Sequence, residues 1–343
     1  MMSLTTVSLA EEESAAETLP VAYRAYLQRV PPRSSARTKA PLALACPNDI
    51  LVLDTETTTD PTQRLLFGSW RYGHRNAAGA FVCLEEGLMY ADDLPERDAA
   101  GFQCLKDYVA SHRADTANPR RPELLLLTRR EFVNERLWKA LDGGALVVGF
   151  NLPFDLTRLA VYCGAAKGPT FRGGFAVQLF EYFDRRTATW QPNGFRPWFR
   201  FKALDSKRAP MGLTRRRGPR SAERAQSPEA LGRLLDLKAL VFALTDRNHS
   251  LETAAKAFGL EARKLAIAQH GRITPEYIDY NRHDVALTAG VLVAALAEWE
   301  RHPLALAPDK VMSPAGLAKG YLRALGVTPP AVKFANVPQE LIG

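Results

Sequence analysis

Regular patterning of apolar and polar positions begins at Asp49. Ile50-Leu51-Val52-Leu53 is a bounded run of four apolar residues that ends in Asp54-Thr55-Glu56-Thr57, the pattern of a strand buried on both faces. Leu65–Tyr72 and Ala80–Leu84 read as two further strands, with a hairpin turn over Asn76-Ala77-Ala78-Gly79 between them. Leu124–Leu127 is another short apolar run. Arg129–Leu141 has helical spacing, with Phe132, Leu137, Trp138 and Leu141 on its apolar side, and Asp142-Gly143-Gly144 ends it. Ala145–Val148 is the next strand and leads into Gly149-Phe150-Asn151. A helix opens at Leu152, with Asn151 as its cap and Pro153 tolerated in the first turn, where N–H groups have no intrahelical partner. Residues 170–212 are aromatic and turn-rich and predict an irregular β-hairpin insertion. Leu231–Leu244 and Leu251–Phe258 read as helices, the second capped by Ser250. Thr274-Pro275 opens a long helix reaching about Trp299, with Ile278, Val285, Ala289, Leu292 and Leu296 as its buried stripe.

Strands come first, then strands alternating with helices, then helices. That order predicts an α/β domain with a central mixed sheet flanked by helices. Residues 1–47, rich in Ala, Glu, Ser, Arg and Pro, predict a flexible N-terminal arm with a short helix near Ala22–Arg29. The main domain is expected over 48–300, carrying a hairpin and basic-loop insertion over 170–224. Residues 301–343 are expected to form a C-terminal extension or connector.

The 343 residues suffice for one large domain with appendages. No apolar run approaches the ~20 residues of a membrane span, and the N-terminus lacks a basic region followed by an apolar stretch, so neither a membrane nor a secretory route is expected. Cys46, Cys83, Cys104 and Cys163 show no metal spacing and read as thiols of a reducing, cytoplasmic compartment. The net charge of +8 suits a polyanionic partner but does not identify one.

Three small features carry the candidate chemistry. Asp54 and Glu56 are two apart at a strand end, so their side chains share one face. Two carboxylates so placed repel, and a hard divalent cation removes the conflict. Taken alone they read more readily as a solvated acidic turn at a strand end. Asp155 lies in the first turn of the helix after Asn151, where the helix dipole already favours an acid. Tyr280 and Asp284 are i and i+4 on the long helix, hence on one face, off its apolar stripe.

Taken in order, Asp54-Thr55-Glu56-Thr57, Asn151-Leu152-Pro153-Phe154-Asp155 and Tyr280-Asn281-Arg282-His283-Asp284 resemble the DEDD exonuclease superfamily. Tyr280 places the resemblance in its tyrosine branch. The histidine branch would want a histidine where Asp279 stands, so His283 reads as incidental. The resemblance spans about residues 48–300 and is closest in style to the proofreading domain of family B-like DNA polymerases.

It implies an RNase H-like exonuclease fold and hydrolysis of single-stranded nucleic acid from the 3′ end, DNA favoured over RNA, with release of nucleoside monophosphates. It also implies two Mg²⁺ or Mn²⁺ ions held by Asp54, Glu56, Asp155 and Asp284, with Tyr280 orienting the attacking water. Phe154, and with it Phe150, would stack terminal bases, Asn151 would reach a phosphate, and Thr57 joins the substrate contacts. The cluster Arg215, Arg216, Arg217 and Arg220 reads either as a backbone contact or as a solvated loop.

Ser313–Leu322 resembles the connector to a polymerase palm, although no polymerase motif follows. A polymerase or another replication, repair or defence protein is therefore the expected partner. The alternatives are an RNase D-like enzyme trimming RNA 3′ ends and a nucleic-acid-binding module without catalysis. A structural role in a larger complex is a third.

Overall fold

The computed structural model describes residues 46–120, 122–205, 208–214, 232–261, 270–304 and 306–327. All but Val327 belong to one compact unit, Ala40–Gly326. Most of the expected N-terminal arm, the helix near Ala22–Arg29 and the Arg215–Arg220 cluster lie outside the described residues.

The chain begins with three antiparallel strands, β1 (Asp49–Thr57), β2 (Leu65–Arg75) and β3 (Phe81–Tyr90). Helices α1 (Leu94–Arg97) and α2 (Ala99–Ser111) lead to β4 (Leu125–Thr128). Thr128 caps the next helix through a reciprocal box with Glu131. That helix runs as α3 (Arg129–Glu131), a π-helical stretch Phe132–Leu137 and α4 (Trp138–Asp142).

Strand β5 (Leu146–Gly149) and α5 (Leu152–Arg158) follow. Six short strands come next: β6 (Tyr162–Ala165), β7 (Phe175–Gln178), β8 (Glu181–Asp184), β9 (Thr189–Pro192), β10 (Phe199–Phe201) and β11 (Met211–Leu213). The described chain then continues with β12 (Arg233–Asp236), α6 (Leu237–Thr245), α7 (Leu251–Ala257), α8 (Pro275–Glu300) and α9 (Pro314–Ala324).

The central sheet has six strands in the order β12-β5-β1-β2-β3-β4. β12, β5 and β1 are parallel neighbours, β1–β2–β3 is an antiparallel meander, and β4 runs parallel to β3, so the sheet is mixed. Ile50, Leu51, Val52 and Leu53 are fully buried. Leu51 and Leu53 pack into one apolar cluster, with Phe132, Leu137 and Leu156. Ile50 and Val52 pack into the other, with Leu240, Val285 and Leu292. Helices therefore cover both faces, and burying each of these aliphatic side chains contributes about 1.5–3 kcal/mol.

The close approach of β2 to β1 requires Gly68, where an added Cβ would stand 2.4 Å from the Asp54 carbonyl oxygen. The β1–β2 register shifts between Glu56 and Thr57, which ends regular pairing where the candidate site begins.

Four expectations change. The strand read at Ala80–Leu84 continues to Tyr90, because Leu88 and Met89 are buried on the far half. The helix read over Leu231–Leu244 is instead β12 followed by α6. Leu234 and Leu235 extend the parallel sheet beside β5, and helical geometry starts only after Asp236. The stretch 170–212 is not one irregular hairpin. Strands β11-β10-β7-β6 form a second sheet around Phe199 and Phe201, and β8–β9 is a separate hairpin. Helix α2 was not anticipated. It is capped by Asp98, and its Leu105 and Tyr108 reach the core.

A buried ionic network fixes α8 on the sheet. Glu86 of β3 is 1% exposed and lies between Arg71 of β2 and Arg282 of α8, with an Arg282 Nη2–Glu86 Oε2 distance of 2.9 Å. Arg282 also donates to the Tyr108 hydroxyl of α2 at 2.9 Å, and that hydroxyl donates to Asp279. Burial pushes the Glu86 carboxyl up, but Arg282 and Arg71 outweigh it and hold the group below its ordinary value.

Candidate active site

The even-numbered residues of β1 point toward α8. Beyond Ile50 and Val52 this parity continues to Asp54 and Glu56. Thr274 caps α8 through the Tyr277 N–H, with Pro275 in the first turn. Tyr277, Asn281 and Asp284 then follow at i, i+4 and i+7 along one face. The Tyr277 hydroxyl donates to Glu56 Oε2 at 2.5 Å. The Asn281 amide donates to Asp54 Oδ2 at 2.6 Å and to Glu56 Oε1 at 3.3 Å. Tyr280 lies against Asp284, where its hydroxyl offers a hydrogen bond.

Asp155 arrives from α5 and is 2% exposed. Thr55 of β1 donates to its Oδ1 twice, from the hydroxyl at 2.8 Å and from the backbone N–H at 3.2 Å. Its other oxygen, Oδ2, is buried and has no hydrogen-bond partner. Asp236, at the end of β12 and the start of α6, is a further buried carboxylate close enough to act on Asp155.

Electrostatics tie these groups into one centre. Burial drives the Asp54 carboxyl well above its ordinary value, and Asp155, Glu56 and Asp284 push it the same way, against the Asn281 amide. Burial pushes Glu56 up to about 7, opposed by the Tyr277 hydroxyl and the Asn281 amide. Asp155 rises to about 7, again chiefly by burial and against the two Thr55 donors. Burial also raises Asp284, with Tyr280 opposing. Asp236 is pushed up to about 7 by burial. Four carboxylates from three elements thus share one low-dielectric region, each met by a neutral donor. Cations play a minor part: Arg158 lies within electrostatic reach of Asp155 and His283 of Asp284, while the largest opposing influence on each of the four carboxylates is a neutral donor.

The five residues expected to carry chemistry, Asp54, Glu56, Asp155, Tyr280 and Asp284, are brought together. No three His, Cys, Asp or Glu side chains among the described residues close into a ready cation cage. The Asn281 amide stands between Asp54 and Glu56, and Thr55 turns one oxygen of Asp155 aside. The donor set still fits hard divalent cations: all-oxygen, held together against its own repulsion, with the Asp155 Oδ2 atom left over.

Asn151 holds the cap position of α5 but makes no side-chain cap bond. Its backbone carbonyl accepts from the Phe154 N–H at 2.9 Å, and its exposed side chain faces solvent. Phe154 is half-buried under the Arg158 guanidinium, 4.5 Å from the ring centroid. Phe150 packs against the α6–α8 side of the core, so it is a core residue. Thr57 ends β1 opposite Leu65, half-buried.

Thr55, Tyr277, Asn281 and Asp236 were not anticipated as site residues. Tyr277 and Asn281 had a signal, since they share the face of Asp284 at helical spacing. Asp236 had none while its segment read as helix. No protein-family model matches the sequence, and no curated protein matches it.

Proposed function

We propose that this protein is a metal-dependent 3′–5′ exonuclease acting on single-stranded nucleic acid, DNA favoured over RNA, on an RNase H-like fold. The observation that carries the reading is the convergence of Asp54, Glu56, Asp155 and Asp284, all raised by burial and all hydrogen-bonded by neutral donors. The β1–β2–β3 meander continued by parallel β5 and β12, with helices on both faces, supports the fold assignment.

The four carboxylates would hold two Mg²⁺ or Mn²⁺ ions, which supply charge stabilisation to the attacking and leaving oxygens of an in-line displacement. The protein's own groups bind, orient and exclude water. The Tyr280 hydroxyl, beside Asp284, is placed to orient the attacking water. The Phe154 ring stacks on a terminal base, and the exposed Asn151 amide reaches a phosphate. Asn281 and Tyr277 hold the Asp54 and Glu56 carboxylates in position against their mutual repulsion.

The Asn281 amide between Asp54 and Glu56 favours a second reading, a nucleic-acid-binding module without catalysis. One experiment separates them. Single strands of DNA and of RNA, labelled at the 5′ end, are followed with Mg²⁺, Mn²⁺ or EDTA, beside Asp54→Ala. The exonuclease reading expects a metal-dependent ladder shortening from the 3′ end, absent in Asp54→Ala, whose fold stays intact. Binding without cleavage in both proteins overturns it in favour of the module.

A further inference from the structure

Outside the carboxylate centre, the most unusual surface is the β8–β9 hairpin. Phe183 and Trp190 are directly paired across its strands, and their rings meet edge to face at 5.5 Å. Phe183 is 47% exposed and Trp190 is 44% exposed, an unusual state for two large aromatic side chains on one face. The Arg130 guanidinium sits over the Trp190 ring at 4.1 Å. At the turn, Arg185 and Arg186 are exposed. Among the described residues Arg185 has no ion-pair partner, and Arg186 has only a 3.9 Å contact with Asp184.

A groove of about 400 Å³ is lined by residues next to both this hairpin and the carboxylate centre, although by none of β8, β9, Asp54, Glu56, Asp155 or Asp284 themselves. One wall is the loop Thr62–Leu65, which follows Glu56, together with Thr157 and Arg158 at the end of the helix that carries Asp155. The opposite wall includes Asp92 and Arg129. Arg129 bonds to Glu181 at the root of the hairpin, and its neighbour Arg130 carries the Trp190 contact. Arg158 makes no ion pair among the described residues, stacks on Phe154 and donates to the Gln63 carbonyl at 3.1 Å. Ring, guanidinium, groove, guanidinium and ring thus follow one another from Trp190 to Phe154.

The geometry points to a second, distal binding surface for the same single strand, in which unpaired bases stack on Trp190 and Phe183 while Arg185 and Arg158 meet the phosphates; Arg130, paired with Glu181 and Asp92, holds the Trp190 ring in place. Exposed rings flanked by guanidinium groups suit an unpaired strand, because each base offers a free π-face and the backbone offers charge. A duplex offers the charge without the base faces. This inference rests on the exonuclease reading for the direction of the strand, since its 3′ end would lie at Asp54 and Asp155.

The test uses the full chain in EDTA, so that binding is read without cleavage. Fluorescein-labelled oligothymidylate and oligouridylate of about 4 and about 16 nucleotides are titrated by anisotropy. The short strand reaches only the carboxylate end, and the long one reaches the hairpin. Wild-type protein should prefer the long strand by about tenfold or more. In Phe183→Ala/Trp190→Ala that preference should collapse, with short-strand affinity unchanged. Both side chains are nearly half exposed and pack chiefly on each other and Arg130, outside the core, so melting should shift little. If the double variant melts early, Arg185→Glu/Arg186→Glu serves instead and must weaken long-strand binding alone.

A preference retained in the variants, or absent from wild type, overturns the inference. So does a retained preference accompanied by loss of concentration-dependent self-association, which would make the hairpin a protein interface. Failure of the exonuclease reading looks different: with Mg²⁺ or Mn²⁺ no ladder forms, whatever the length preference.

Discussion

The carboxylate centre dictates how the metal-free protein responds to pH. Folding carries Glu56 from its ordinary 4.5 to about 7 and Asp155 from 3.8 to about 7, with Asp54 and Asp284 also raised. Between those limits the folded chain keeps protons that the unfolded chain has released. Stability must therefore fall as pH rises through that window. Glu56 alone accounts for ~3 kcal/mol. The carboxylates titrate as a coupled set, so their contributions do not simply add. Against a total stability of about 5–15 kcal/mol, this one group is already a large share.

Glu86 works in the opposite sense, but its stabilising contribution is complete above its ordinary value and adds no slope higher up. The assay is urea unfolding in EDTA from about pH 5 to about pH 8. Wild type should lose ~3 kcal/mol or more across that range. Glu56→Gln keeps a side-chain acceptor for Tyr277 and should show a shallower slope. Mn²⁺ should restore stability at the upper end, because a ligand that binds only the folded state stabilises it. Stability that is flat or rising in EDTA would refute the raised carboxylates. A falling slope that Mn²⁺ leaves unchanged would refute the cation site.

Three further outcomes follow from the same geometry. Tyr280→Phe removes a hydroxyl and leaves every carboxylate, so single-turnover cleavage should slow by less than about 10²-fold while Mn²⁺ affinity by calorimetry stays near wild type. Arg282→Met leaves Glu86 buried with Arg71 alone. It should cost about 3–5 kcal/mol in chemical denaturation, and activity should fall with it because α8 loses its anchor on β3. At Gly149 a Cβ would stand 2.9 Å from Asp155 Oδ2 and 3.2 Å from the Leu152 Cα. Gly149→Ala should therefore cost about 1–3 kcal/mol of stability yet depress metal affinity far more, as calorimetry with Mn²⁺ would record.

Local rules made half of the centre readable before the structure. Two-residue periodicity places Asp54 and Glu56 on one face of β1, and the i, i+4 rule places Tyr280 beside Asp284 on α8. What local rules cannot supply is which face meets which. Glu86 and Arg282 are 196 positions apart, and nothing near either residue announces the bond that sets the rotation of α8. Asn281 was passed over because an asparagine within a helix has no reason of its own. Its role exists only once β1 lies against that face. Asp236 was hidden by a helical reading of Leu234-Leu235, a two-residue apolar run too short for periodicity to separate strand from helix. Asn151 went the other way. Its position predicts a cap, yet its backbone carbonyl takes the first helical bond and leaves the side chain in solvent.

The two sets of buried carboxylates in this chain argue most directly for what the centre is for. Glu86 is buried for architecture, and the fold supplies Arg71 and Arg282, which cancel its charge and hold it ionised. Asp155 is buried as deeply and Asp54 and Glu56 are half-buried, yet their donors are the Asn281 amide, the Tyr277 hydroxyl and Thr55. Neutral donors orient a carboxylate and lower the penalty of its burial without neutralising it. A fold that needed these residues only as structure could have treated them as it treats Glu86. Leaving several negative charges uncancelled in one water-poor region costs stability in the empty protein. Protons can supply part of the compensating positive charge at low pH; under the proposed function, divalent cations would supply it at neutral pH and above.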